Sequence, residues 1–202
     1  MKHKSAVSCF LSLLVFLALV SGATSCNNND DTQGDLTNRG VINTQNFSLD
    51  TESVGLETQV HGSIFVIGGS EEPEDLRLRI VAWLEIDPDD FGGVSFSFPR
   101  GWEVSDIVSD YPQGAENPQY YVSCWQTTDT DEEWPLMMQI GHSKFDSAIA
   151  GGGQGALIFE LKPDPSLQEI PESLGILAGA GSRGEYTVYP CYQIFNIALS
   201  SN

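Results

Sequence analysis

Short runs of alternating apolar and polar residues, cut by turn-forming residues at nearly regular intervals, constrain this chain more than any other feature. Leu76-Arg77-Leu78-Arg79-Ile80 puts leucine and isoleucine on one side of an extended chain and arginine on the other, and Val94-Ser95-Phe96-Ser97-Phe98 repeats the pattern before Pro99 ends it. A period of two is what a strand with one buried face requires. Further strands are expected at Val60–Ile67, Leu76–Ile86, Trp102–Val108, Gln119–Trp125, Leu136–His142, Ala156–Leu161 and Glu185–Leu199. Turn residues separate them: Asp87-Pro88-Asp89-Asp90, Arg100-Gly101, Tyr111-Pro112-Gln113-Gly114, Gly151-Gly152-Gly153 and Lys162-Pro163-Asp164-Pro165. No long segment has helical periodicity; Ser166 to Leu177 accommodates one short helix, limited by Pro171. Many short strands at this spacing predict an all-β fold, a single immunoglobulin-like or jelly-roll-like β-sandwich over residues 51–202, with a closed barrel as the second architecture.

The first residues have a different character. Lys2 and Lys4 precede an apolar run from Phe10 to Val20, and small residues then lead into Ala23-Thr24-Ser25-Cys26. That layout is a secretory signal, and the run is shorter than the roughly 20 apolar residues of a membrane span. Its end resembles a bacterial lipobox, with Ala23 where that family more often has leucine. The resemblance implies that residues 1–25 are removed and that Cys26 is acylated and becomes the mature N-terminus. It further implies a lipid-anchored protein of the cell envelope, facing outside the cytoplasm. Residues 26–50, opening with Asn27-Asn28-Asn29-Asp30-Asp31, read as a polar tether.

Removing residues 1–25 takes away Lys2, Lys4 and no acid, which leaves seven Lys+Arg against 28 Asp+Glu. A balance of −21 excludes nucleic acid as a partner, because phosphate backbones are held by basic patches. Gly179-Ala180-Gly181-Ser182-Arg183-Gly184 matches a dinucleotide fingerprint by letter, but strand-forming Glu185-Tyr186-Thr187-Val188 follows where a helix N-terminus is needed, so no nucleotide is expected. Of the four cysteines, Cys9 goes with the signal and Cys26 with the lipid. Cys124 and Cys191 remain, an even pair in an oxidising compartment, and a disulfide between them is the first expectation.

Three kinds of chemistry fit the remaining residues. Asp87, Asp89 and Asp90 form one oxygen-rich turn and Asp129 and Asp131 a second, the hard ligands that weak extracellular calcium sites use; solvated turns are the alternative. Tyr121, Trp125 and Trp134 are the aromatic side chains best placed to stack on a ligand, with Tyr121 and Trp125 on one face of an extended strand; core packing is the alternative for each. The 28 acids also allow a carboxylate pair of the glycoside hydrolase kind, without singling one out.

From Trp83 to Val108 the order is strand, acidic turn, strand, then Phe98-Pro99-Arg100-Gly101-Trp102-Glu103-Val104. This order is similar to cohesin and carbohydrate-binding-module sandwiches, and no binding residue comes over with it. The resemblance implies a non-catalytic binding module, first for carbohydrate such as a polysaccharide. A protein–protein adhesion or assembly module engaging a cell-surface protein comes second, and a carboxylate-dependent hydrolase third.

Overall fold

The alternation is realised as two stacked sheets. The computed structural model describes residues 40–68, 75–88, 93–141, 152–181 and 191–200. Ten strands follow in chain order: β1 (Val41–Ser48), β2 (Gln59–Ile67), β3 (Arg77–Ile86), β4 (Val94–Phe98), β5 (Trp102–Ser109), β6 (Val122–Gln126), β7 (Leu136–Ile140), β8 (Gly153–Pro163), β9 (Ser173–Ala180) and β10 (Cys191–Ala198). One sheet, here sheet A, has the order β1-β2-β3-β8-β5, and the other, sheet B, the order β10-β9-β4-β7-β6. Every neighbouring pair is antiparallel. The chain is thus an all-β sandwich, as the period-two pattern predicts.

β3 shows the rule at work. Leu78, Ile80, Ala82, Leu84 and Ile86 are buried, while Arg79 and Glu85 are exposed. Arg79 faces out beside Glu160 of β8, its register partner, and forms an ion pair with it. The inward side chains of both sheets make one core. At its centre the ring of Phe159 on β8 lies 5.3 Å from Phe96 and 5.8 Å from Phe98, both on β4 of the opposite sheet. Phe47 of β1 extends the group, 6.1 Å from Phe96 and 5.3 Å from Phe195 of β10.

At one corner Asn43 Nδ2 of β1 donates to the Ala198 carbonyl of β10 at 2.9 Å, tying an edge of one sheet to an edge of the other. Toward the other edge of the sandwich, Tyr111 follows β5, is fully buried, and its hydroxyl accepts the Gly152 amide at 3.2 Å. Burial is the main reason its phenol is pushed up to about 12.

Three segments differ from expectation. Residues 41–48 fall in the stretch read as tether, yet they pair along β2 from Val41↔Ile67 to Ser48↔His61. An edge strand bonds on one side only, and Phe47 and the following Leu49 suffice to anchor it, so its Asn, Gln and Thr side chains disguise it. Residues 173–180, partly read as helix, are a strand paired on both sides, with β10 and β4. The segment 119–121 is also not extended: Pro118–Tyr121 is a 3-10 turn, and β6 begins at Val122.

Candidate functional site: the outer face of sheet B

Where a two-sided sheet faces water, its outward positions are ordinarily polar or charged. The outer face of sheet A mixes the two kinds: Arg79 and Glu160 pair across it and Lys162 Nζ lies 2.6 Å from a Glu103 carboxylate, in the same face as Phe65, Val81, Trp83 and Ile158. Among the described residues, sheet B differs in lacking the charges.

The register places Trp125 (β6), Met137 (β7), Ser97 (β4), Leu177 (β9) and Ile194 (β10) in one outward row across all five strands. Four inter-strand steps span about 19 Å. The next row holds Ser123, Gln139, Ser95, Gly179 and Tyr192. Below the first row, Gly175 and Asn196 face out as register partners. Trp134, in the connection before β7, lies over Gly175: a Cβ there would meet its Cη2 at 3.3 Å and the Ile194 Cγ2 at 3.4 Å. The missing side chain of Gly175 is what lets the indole settle onto the sheet.

Exposure is graded across this surface. Tyr192 is 71% exposed, Ile194 47% and Trp125 42%, whereas Ser95 and Ser97 in the middle are 3% and 1%. The result is a small-residue centre flanked by Met137 and Leu177, with aromatic rings on the flanks. Among the described residues, no outward position of these five strands carries Asp, Glu, Lys or Arg.

Of the three aromatic residues expected to bind, Trp125 and Trp134 therefore share this face. Tyr121 does not: it sits in the 3-10 turn, where a period of two no longer applies, is half-buried against the core, and packs edge-to-face on Tyr111 at 6.4 Å and 84°. Met137, Leu177, Tyr192 and Ile194 were not singled out in the sequence. For Leu177 the signal was the alternation Leu174-Gly175-Ile176-Leu177-Ala178-Gly179-Ala180, in which Leu174, Ile176, Ala178 and Ala180 face the core.

The expected disulfide is not formed: Cys124 and Cys191 are both free thiols. Cys124 is on β6 and Cys191 on β10, the two opposite edges of sheet B. Four inter-strand steps separate them by about 19 Å, against a Cα–Cα limit of about 7 Å for a bridge. Burial raises the pKa of both thiols, and the nearby Asp50 charge adds to the effect at Cys191, whose Sγ donates to the Asp50 carbonyl at 3.5 Å.

The two acidic turns are also apart. Asp87 follows β3, where the chain heads for the start of β4, and its amide donates to Thr58 Oγ1 at 3.1 Å. Asp129 lies past the other end of β4: its carbonyl accepts from Arg100, and its carboxylate accepts the Asp131 amide at 3.0 Å. The five residues of β4 hold these turns about 17 Å apart. Asp89 and Asp90 lie outside the described residues, and so does Cys26. No group of three or more His, Cys, Asp or Glu side chains converges as metal ligands among the described residues.

No protein-family model matches this chain, and no curated protein matches its sequence.

Proposed function

We propose that the chain is an extracytoplasmic lipoprotein, held on a membrane through acylated Cys26, whose sandwich is a non-catalytic module that binds a protein partner on the outer face of sheet B. One observation carries the reading: in a chain with 28 acids, a five-strand face has none at its described outward positions. Interface centres are depleted of charge and enriched in Trp, Tyr and Met, and uncharged patches of this kind mark contact surfaces. Trp125, Met137, Leu177 and Ile194 form a broad, flat row, a shape that fits a protein surface. A photo-crosslinking amino acid placed at Ile194 on intact cells should give a discrete adduct, while the same group at Arg79 on sheet A should give none. Trp125→Ala should weaken binding of the captured partner by about 30-fold, as a central aromatic anchor does. Equal labelling from both faces would sink the assignment.

Carbohydrate is the second reading, favoured by Trp134 lying along the sheet beside Asn196 and by Gln139 in the adjoining row. Its discriminating result is binding of the full-length protein to one glycan class on an array, abolished by Trp134→Ala.

Anchoring has its own test. Among the described residues no helix is long and apolar enough to cross a membrane. In this reading the lipid on Cys26 supplies the attachment, since a diacyl anchor is stable where a single chain is marginal. Cys26→Ala should abolish palmitate labelling and move the protein from the membrane pellet to the soluble fraction. Unchanged labelling and partition would exclude the lipid.

A further inference from the structure

A separate feature lies at one end of sheet A, away from the uncharged face. Two adjoining cavities open there. The first, of about 350 Å³, is lined by Asp50, Thr51, Glu52, Leu56, Glu57 and His61 among others. The second, of about 420 Å³, is lined by Glu85, Asp87, Pro88 and Gln154 among others. Glu57 and Gln59 line both, so the two form one trough.

Its chemistry is one-sided. Asp50, Glu52, Glu57, Glu85 and Asp87 line it, and among the described residues no lysine or arginine does. These carboxylates are strung along the trough, and no metal-ligand set converges among the described residues. A point charge such as a divalent ion needs converging oxygens at 2.0 to about 2.6 Å. A trough with spaced carboxylates suits an extended cation instead. Half-buried Leu56 offers the first cavity an apolar contact, with Leu49 and Val60 buried behind it. Ammonium groups need carboxylate and hydroxyl acceptors, and the methylenes between them need apolar contact.

A second observation is independent of charge. Thr51 stands in the wall of the first cavity with 3% of its surface exposed. It occupies the N-cap of the short 3-10 turn Glu52–Val54, where its hydroxyl would ordinarily accept a backbone amide, and it makes no such bond. A buried hydroxyl without a partner costs stability unless something else satisfies it.

We propose that this trough binds an alkylammonium ligand, with the Glu57 carboxylate at its midpoint and the Thr51 hydroxyl accepting from one ammonium group. The site is distinct from the outer face of sheet B, and Trp125→Ala should leave it unaffected.

The test is calorimetric titration of the full-length protein with spermidine and, separately, with tetralysine, in about 150 mM salt, which screens diffuse attraction beyond about 8 Å. Saturable binding should weaken by about tenfold or more in Glu57→Gln, since a charge-assisted bond is lost. It should also weaken in the near-isosteric Thr51→Val. Glu133→Gln removes the same charge from the loop at the other end of sheet B and should leave affinity within about twofold. Binding of spermidine alone assigns a free polyamine; binding of tetralysine assigns a lysine-bearing segment. Absence of binding by both probes, equal loss in Glu57→Gln and Glu133→Gln, or tighter binding of calcium alone lost in Glu57→Gln would each overturn the proposal.

Discussion

Phe159→Ala should lower the melting temperature by about 8–16 °C, a loss of roughly 4 kcal/mol at about 2–4 °C per kcal/mol for a chain of this size. The residue is fully buried in β8, an interior strand of sheet A between β3 and β5. Its ring meets Phe96 and Phe98, neighbours one residue apart on the inward side of β4 at the centre of sheet B. A truncation there removes the ring from the seam between the sheets and leaves a cavity that two stiff central strands cannot close. Packed interiors are felt at the level of a single methylene, so a whole ring lies near the upper end of core truncations. Phe159→Leu keeps most of the volume and should cost about 1–1.5 kcal/mol. Thermal unfolding followed by near-UV and far-UV dichroism reads both variants. A fall of under about 3 °C for the alanine variant would mean that the sheets are not held together through this ring cluster.

The same strands show what sequence alone can carry. Val94–Phe98 was legible residue for residue because Phe96 and Phe98 alternate with serines and Pro99 stops the run. β3 was legible because its arginines mark the outside and its leucines the inside. β1 was not, since an edge strand with two anchoring residues, Phe47 and Leu49, need not look apolar. β9 was not, since Gly, Ala and Leu favour strands weakly and its stability comes from pairing with β4 and β10 on both sides. The candidate face divides the same way. Trp125 and Trp134 stood out as residues, but the uncharged row is assembled from five separated stretches of chain. Only the register brings Met137, Ser97, Leu177 and Ile194 into line. The cysteine pair failed for a related reason: an even pair of thiols suggests a bridge by parity, whereas strand order puts them at opposite edges of one sheet.

Gly62→Ala should abolish folding, the largest effect expected of a single methyl at any glycine among the described residues. Gly62 lies in β2 between Phe47 of β1 and Ala82 of β3. A Cβ built on it would stand 2.0 Å from the Val81 carbonyl oxygen, 2.9 Å from the Ala82 Cα and 3.0 Å from the Phe47 Cε1. Two of those three atoms are backbone, so no rotamer change relieves the overlap. β2 would have to move away from β3, breaking ladder hydrogen bonds in the middle of sheet A and lifting Phe47 from its place beside Phe96 and Phe195. The double variant Gly62→Ala/Phe47→Ala should fail as well, because trimming the ring leaves the carbonyl where it is. Gly55→Ala is the comparison: Gly55 has φ +74° but nothing within 4 Å of the added methyl. It should therefore lose only the left-handed backbone preference, about 1–2 kcal/mol. Soluble yield and the far-UV spectrum separate the cases. A folded Gly62→Ala protein with wild-type dichroism would show that β2 and β3 can part at Gly62 without loss of the sheet, and that the close approach of the two strands is not what the fold depends on.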